Sequence, residues 1–105
     1  MIDPTLPGAD LVEKGIADLA RGEETVEAWL VSIGASRIRS ATAMDIPGVL
    51  SDPEAGLYAL LDLEDSDSAH SRYNALVRRL VSFERAAERA MTADSLANAS
   101  PSTSE

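Results

Sequence analysis

The chain of 105 residues holds 18 acidic and nine basic side chains, and its formal net charge at pH 7 is -9. Such a length forms one domain with a small core, and the acidic balance argues against general nucleic-acid binding because phosphate groups are repelled. The absence of cysteine excludes disulfides and thiolate metal sites.

No segment of the sequence predicts membrane insertion or export. The first residues lack the charged and apolar regions of a signal peptide, and no apolar run approaches the roughly 20 residues needed to span a bilayer. We therefore expect a cytoplasmic protein. Eight of the nine basic residues are arginine, which together with the many alanines suggests a bacterial origin.

A first helix is predicted over Ala9–Arg21, after an irregular lead-in. Its apolar stripe consists of Val12, Ile16 and Leu19, and Gly22 would end it. Gly15 lies inside this helix at a cost of about 1 kcal/mol relative to alanine. It is either a tolerated weakness or a point where a neighbouring helix approaches closely.

A second helix is predicted over Glu23–Ile33, with Gly34 as its terminator. The apolar residues recur at helical spacing, at Val26, Trp29, Leu30 and Ile33. We interpret Trp29 as a core anchor rather than a ligand-stacking residue, because aromatic side chains dominate small cores. Residues 35–50 read as a connector, so Arg37 and Arg39 would lie on a loop.

A third helix is predicted from Ser51 to Leu63. Ser51 and Glu54 fit a capping box, and Pro53 occupies the first turn, where proline is tolerated. The leucines of this segment face more than one side of the helix. Such a helix lies either at the centre of the fold or at an interface.

The fourth predicted helix, Ser68–Met91, carries a heptad seam, and its length would be about 36 Å. The seam consists of Ala69, Tyr73, Leu76, Leu80, Phe83, Ala87 and Ala90. We expect it to form either the spine of the bundle or a homodimer contact, with Tyr73, Leu76, Leu80 and Phe83 as the dimer seam. Residues 93–105 lack periodicity and are predicted to be disordered, which leaves one helical domain over 1–92.

Charge is segregated along the chain. Residues 1–67 sum to -10, whereas residues 68–91 sum to +3. Within the fourth helix a cationic stripe opposite the seam holds Arg78, Arg85 and Arg89 together with Ser82. This stripe is either a solvated face, a face paired with acids of the first two helices, or a docking surface for an acidic partner. Only Arg85 and Glu88 are spaced for an ion pair within the helix.

No pattern in the chain predicts catalysis, a metal or a cofactor. A calcium loop beginning at Asp65 would need ligands or glycine where Ala69, His70 and Leu76 stand. His70 is the only histidine, and the serines around it are typical of a helix start. We therefore expect a protein that is not an enzyme, without cofactor or metal.

The sequence predicts an all-α protein, a small four-helix bundle with a long C-terminal helix and a disordered C-terminal tail. The leading hypothesis is a protein–protein interaction or regulatory module that dimerises or docks through its last helix. Its partner would be another protein or a second copy, bound by Arg78, Arg85 and Arg89 with help from Arg37 and Arg39. The alternative is a small transcriptional regulator that associates with nucleic acid through the arginine stripe.

Overall fold

A computed structural model describes the backbone of residues 2–99 and the side chains of residues 2–93. Within these limits the protein is all-helical, with four helices and no strand, as predicted. The helices are α1 (Ala9–Ala20), α2 (Val26–Thr42), α3 (Pro53–Glu64) and α4 (Ala69–Ala99). None of these four helices combines the length and the apolarity that a membrane crossing requires.

Helices α1 and α2 form an antiparallel pair joined by a short turn. Thr25 is the N-cap of α2, and its hydroxyl accepts a hydrogen bond from the backbone N–H of Ala28 at 3.1 Å. Gly15 of α1 faces α2 so closely that a Cβ atom there would overlap the carbonyl oxygen of Glu27 and the side chain of Val31. The close-approach interpretation of this glycine is therefore confirmed.

The predicted end of α2 is wrong, because Gly34 lies inside the helix rather than after it. A Cβ at Gly34 would overlap the Glu84 carboxylate and would lie 3.1 Å from the Leu80 methyl groups. The glycine thus allows α2 and α4 to touch instead of terminating a helix. The predicted connector is helical as far as Thr42, and α2 ends where Ala43 adopts a left-handed conformation with φ 57°.

Helix α3 begins at Pro53, and the predicted capping box is wrong. The N-cap residue is Asp52, which has φ 50°, and no side chain caps the helix. Only Leu57 and Leu61 of this helix are buried, whereas Leu63 is 84% exposed. Helix α3 therefore lies at the periphery of the bundle and not at its centre. Its Gly56 packs against the ring of Trp29, which itself lies against the core as predicted.

Helix α4 is unbroken through Leu76–Leu80, and its backbone is helical to Ala99, beyond the predicted end at Met91. The rest of the predicted tail, 100–105, lies outside the described residues. The heptad seam faces inward, since Leu80 and Phe83 are buried within the single chain and Tyr73 and Leu76 pack against the core. These four residues form the spine of the bundle. The proposed dimer seam is wrong for Leu80 and Phe83, because a second copy cannot reach them while the chain is folded.

Helix α2 is the central element of the bundle. It contacts each of the other helices, whereas α1 and α3 do not touch each other over the described range. Helices α2 and α4 run parallel, because Gly34 lies beside Leu80 and Glu84 while Arg37, one turn later, reaches Glu88. Helices α3 and α4 pack antiparallel, with Glu64 paired to Arg72 at 2.9 Å across the short turn.

Candidate functional site

The arginines of this chain fall into two groups. Four of them form ion pairs with carboxylates of the chain: Arg21 with Asp18 and Glu23, Arg37 with Glu84 and Glu88, Arg72 with Glu64, and Arg79 with Asp10. The other four contact no carboxylate among the side chains of residues 2–93, and these are Arg39, Arg78, Arg85 and Arg89. Three of this second group lie on α4.

These three arginines and one serine form a single exposed face, which we call the arginine ridge: Arg78, Ser82, Arg85 and Arg89. Steps of four, three and four residues keep them on one side of a helix. The buried residues Leu80, Phe83 and Ala87 occupy the opposite side of α4. At 1.5 Å per residue the ridge extends about 16 Å along the helix axis.

The ridge keeps its charge because the acids of the same helix turn away from it. Glu84 and Glu88 face α2, where Arg37 holds both. The Arg37 Nη1 lies 3.1 Å from the Glu84 carboxylate, and its Nη2 and Nε donate to Glu88 at 3.0 to 3.2 Å. Consequently the predicted pair between Arg85 and Glu88 is wrong, since Glu88 is already bound by the fork of an arginine on another helix.

Neither of the two arginines predicted to extend the docking surface lies on the arginine ridge. Arg37 lies on a helix instead of a loop, and its guanidinium is occupied by Glu84 and Glu88. Arg39 is also on α2, and it is exposed without a carboxylate contact in the described part of the chain. Arg37 faces α4, and a step of two residues turns a helical side chain by about 200°, so Arg39 points away from α4 and from the ridge.

Glu84 is a buried carboxylate that the sequence analysis missed. Its residue is only 3% exposed, and burial raises its pKa above the ordinary 4.5, while the charge of Arg37 opposes that shift and Glu88 adds to it. One feature of the sequence indicates this burial. Glu84 follows Phe83 of the heptad seam, and an acidic residue that flanks such a seam on a tightly packed helix is partly buried. The glycine that makes room for it, Gly34, is 50 residues away in the chain.

Two further surface features, an open groove and an aromatic cluster around His70, give weaker support for a binding site. An open groove of about 730 Å³ lies between the α1–α2 turn and the α3–α4 pair, floored by Val26, Leu60 and Leu76. Its lining holds three cations, Lys14, Arg72 and Arg79, and three carboxylates, Glu24, Glu27 and Glu64, so the groove presents no excess charge to a ligand. Within the described residues, no group of three or more histidine, aspartate or glutamate side chains is arranged to hold a metal ion.

His70, the only histidine, belongs to a surface cluster of aromatic rings. Its ring centroid lies 6.4 Å from that of Tyr58, which in turn lies 5.7 Å from Tyr73. The imidazole Nε2 and the amide of Asn74 are 3.2 Å apart. Since neither a serine nor a carboxylate hydrogen-bonds to this ring in the described range, the geometry resembles no nucleophile–base pair.

Over the described residues, the fold and the ridge define an all-α structure with an exposed cationic face on α4. The chain matches no protein-family model, and neither a curated protein nor a solved structure matches it.

Proposed function

We propose that this protein is a non-enzymatic interaction module that docks an acidic protein partner along the arginine ridge. The observation that carries the proposal is that the described acids of α4 are paired with a basic residue, whereas the arginines of its ridge are not paired with an acid in the described structure. Its two acids in this stretch are bound by Arg37 from α2, whereas Arg78, Arg85 and Arg89 contact no carboxylate among the described side chains. In a chain with twice as many acids as bases, such a row of unpaired guanidinium groups is unexpected.

The chemistry of the ridge favours carboxylates of a partner. A guanidinium group presents its N–H donors as a planar fork that matches a carboxylate. Each exposed ion pair contributes only about 0.2–1 kcal/mol. Three such pairs on a rigid helix would therefore set orientation and association rate more than affinity, and additional contacts from the partner would supply the rest.

The test compares affinity capture by three purified forms of the full chain. These are the wild type, the triple variant Arg78→Ala/Arg85→Ala/Arg89→Ala and the control Arg39→Ala, which removes an exposed arginine from a different helix. A specific partner should be recovered by the wild type and the control and be lost by the triple variant. Titration of that partner in pure form should then reproduce the loss. Equal recovery of the partner by all three forms would show that the ridge does not bind it.

The alternative function is that of a nucleic-acid-associated regulator, which would use the same ridge. The exposed row of arginines supports it, whereas the net charge of -9 opposes it. Its signature is binding to duplex DNA that weakens steeply as salt rises. A gel-shift titration at low salt that shows no binding would discard this alternative.

A further inference from the structure

The same chain that carries the arginine ridge also carries an exposed acidic counterpart on α3. We call Glu54, Tyr58 and Asp62 the acidic stripe, since steps of four residues keep them on one side of that helix. Glu54 and Asp62 are exposed and contact no basic side chain in the described part of the chain. Tyr58 is 39% exposed, although its ring also lies against Tyr73 of its own chain.

The acidic stripe and the arginine ridge match in length and in chemistry. Glu54 and Asp62 are eight positions apart along the helix, which is about 12 Å, and Arg78 and Arg85 are seven positions apart, which is about 10 Å. The long arginine side chain can make up this difference between the two spacings. Between the charges, each helix presents a hydroxyl group, that of Tyr58 on the stripe and that of Ser82 on the ridge.

We infer that the acidic occupant of the arginine ridge is the acidic stripe of a second copy of this chain, an inference that rests on the function proposed above. The pairing places Glu54 against Arg78 and Asp62 against Arg85. Because each copy carries both surfaces, a two-fold pair makes the same contact twice. The net charge of -9 repels copies at long range, so the association is weak and needs high protein concentration.

The experiment uses two charge reversals, Arg85→Glu and Asp62→Arg, in sedimentation equilibrium over a range of protein concentrations. The wild type should self-associate as its concentration rises. Each reversal alone should abolish association, since like charges then meet in both contacts of the pair. An equimolar mixture of the two reversals should associate again, because both contacts regain opposite charges.

Matched controls separate this contact from a general effect of charge. Arg39→Glu and Glu13→Arg change the net charge by the same amounts at exposed positions outside the ridge and the stripe. Both should behave as the wild type does. Far-UV circular dichroism verifies that every variant is folded.

Four results would overturn the inference. A wild type that remains monomeric at all concentrations rules out the second copy, and the capture experiment on the ridge is unaffected by that result. Association that persists in both reversals, or that is lost equally in the controls, locates the contact elsewhere. Capture of a different acidic protein that is lost in Arg85→Glu and kept in Asp62→Arg supports the proposed function and shows that the occupant is not a second copy.

Discussion

Thr25 donates its hydroxyl hydrogen to the buried carboxylate of Asp18 at 2.5 Å, and the same hydroxyl accepts the backbone N–H of Ala28 at 3.1 Å. One side chain thus caps α2 and fastens it to α1. Asp18 is 0% exposed and is also bound by Lys14 at 2.7 Å and by Arg21. A buried carboxylate is tolerated here because hydrogen bonds and positive charges surround it.

Replacing Thr25 by alanine should destabilise the protein. The variant loses the N-cap of α2 and one of the donors to Asp18, and we expect the free energy of unfolding to fall by about 1 to 2 kcal/mol. Urea unfolding followed by circular dichroism measures the change. Thr25→Ser keeps the hydroxyl and should remain close to the wild type; an equal loss in both variants would show that the methyl group matters and the hydroxyl does not.

Stability should pass through a maximum in mild acid, because Asp18 and Glu84 respond to pH in opposite ways. Hydrogen bonds from Lys14 and Thr25, with the charges of Lys14 and Arg21, lower the pKa of Asp18 in the fold below 3.8. Its contribution is therefore present above pH 3.8 and is lost as pH falls through the lower folded pKa. Burial raises the pKa of Glu84 above 4.5, so stability increases as pH falls through that raised pKa towards 4.5.

Urea unfolding at a series of pH values measures both limbs of this profile. Glu84→Gln should flatten the rise between neutral pH and pH 4.5, and Asp18→Asn should flatten the fall below pH 3.8. The relief of overall negative charge on acidification also favours folding, and it is shared by the wild type and Glu84→Gln. If the rise is unchanged in Glu84→Gln, it comes from net charge and not from the buried carboxylate.

Replacing Gly15 by alanine should be strongly destabilising. The added Cβ meets the backbone oxygen of Glu27, which cannot move without shifting α2. Overpacking of this kind costs about 3 kcal/mol, and the thermal unfolding midpoint should fall accordingly. Gly22→Ala is the control: nothing lies near its Cβ, so only the left-handed backbone at φ 74° is strained, by about 1 kcal/mol. Equal losses at the two sites would contradict a close crossing at Gly15.

Removing Arg37 should destabilise the protein in a pH-dependent manner. In Arg37→Ala the buried Glu84 loses its counter-charge, so the pKa of Glu84 rises further and the fold is penalised at neutral pH. The loss should shrink below pH 4.5, where Glu84 is protonated in either state. Urea unfolding of Arg37→Ala, of Glu84→Gln and of the double variant measures the coupling between the two residues. Arg39→Ala, which breaks no ion pair in the described structure, should leave stability within about 0.5 kcal/mol of the wild type.

Hydrophobic periodicity was enough to predict the helical class, the number of helices and the apolar face of α4. Leu80 and Phe83 recur at helical spacing, which assigns them to one face of the helix, but only the packing of the other helices shows that this face is covered within the chain and is not a dimer seam. Glycine was less informative. Glycine is a typical helix terminator, so the sequence alone favours that role for Gly34. Only the approach of α4 shows that the missing Cβ of Gly34 makes room for Glu84 and Leu80. The capping box failed for a similar reason, since it depends on the backbone of Asp52 and not on residue types alone.

The sequence by itself determined that α4 has one apolar and one cationic face, because helical spacing assigns side chains to faces without reference to other helices. Which charges remain exposed was decided only by the tertiary structure. Arg37 binds Glu84 and Glu88 because α2 and α4 pack in parallel with a particular rotation about their axes. That rotation depends on contacts between residues some 50 positions apart, and it leaves Arg78, Arg85 and Arg89 without a carboxylate in the described part of the chain.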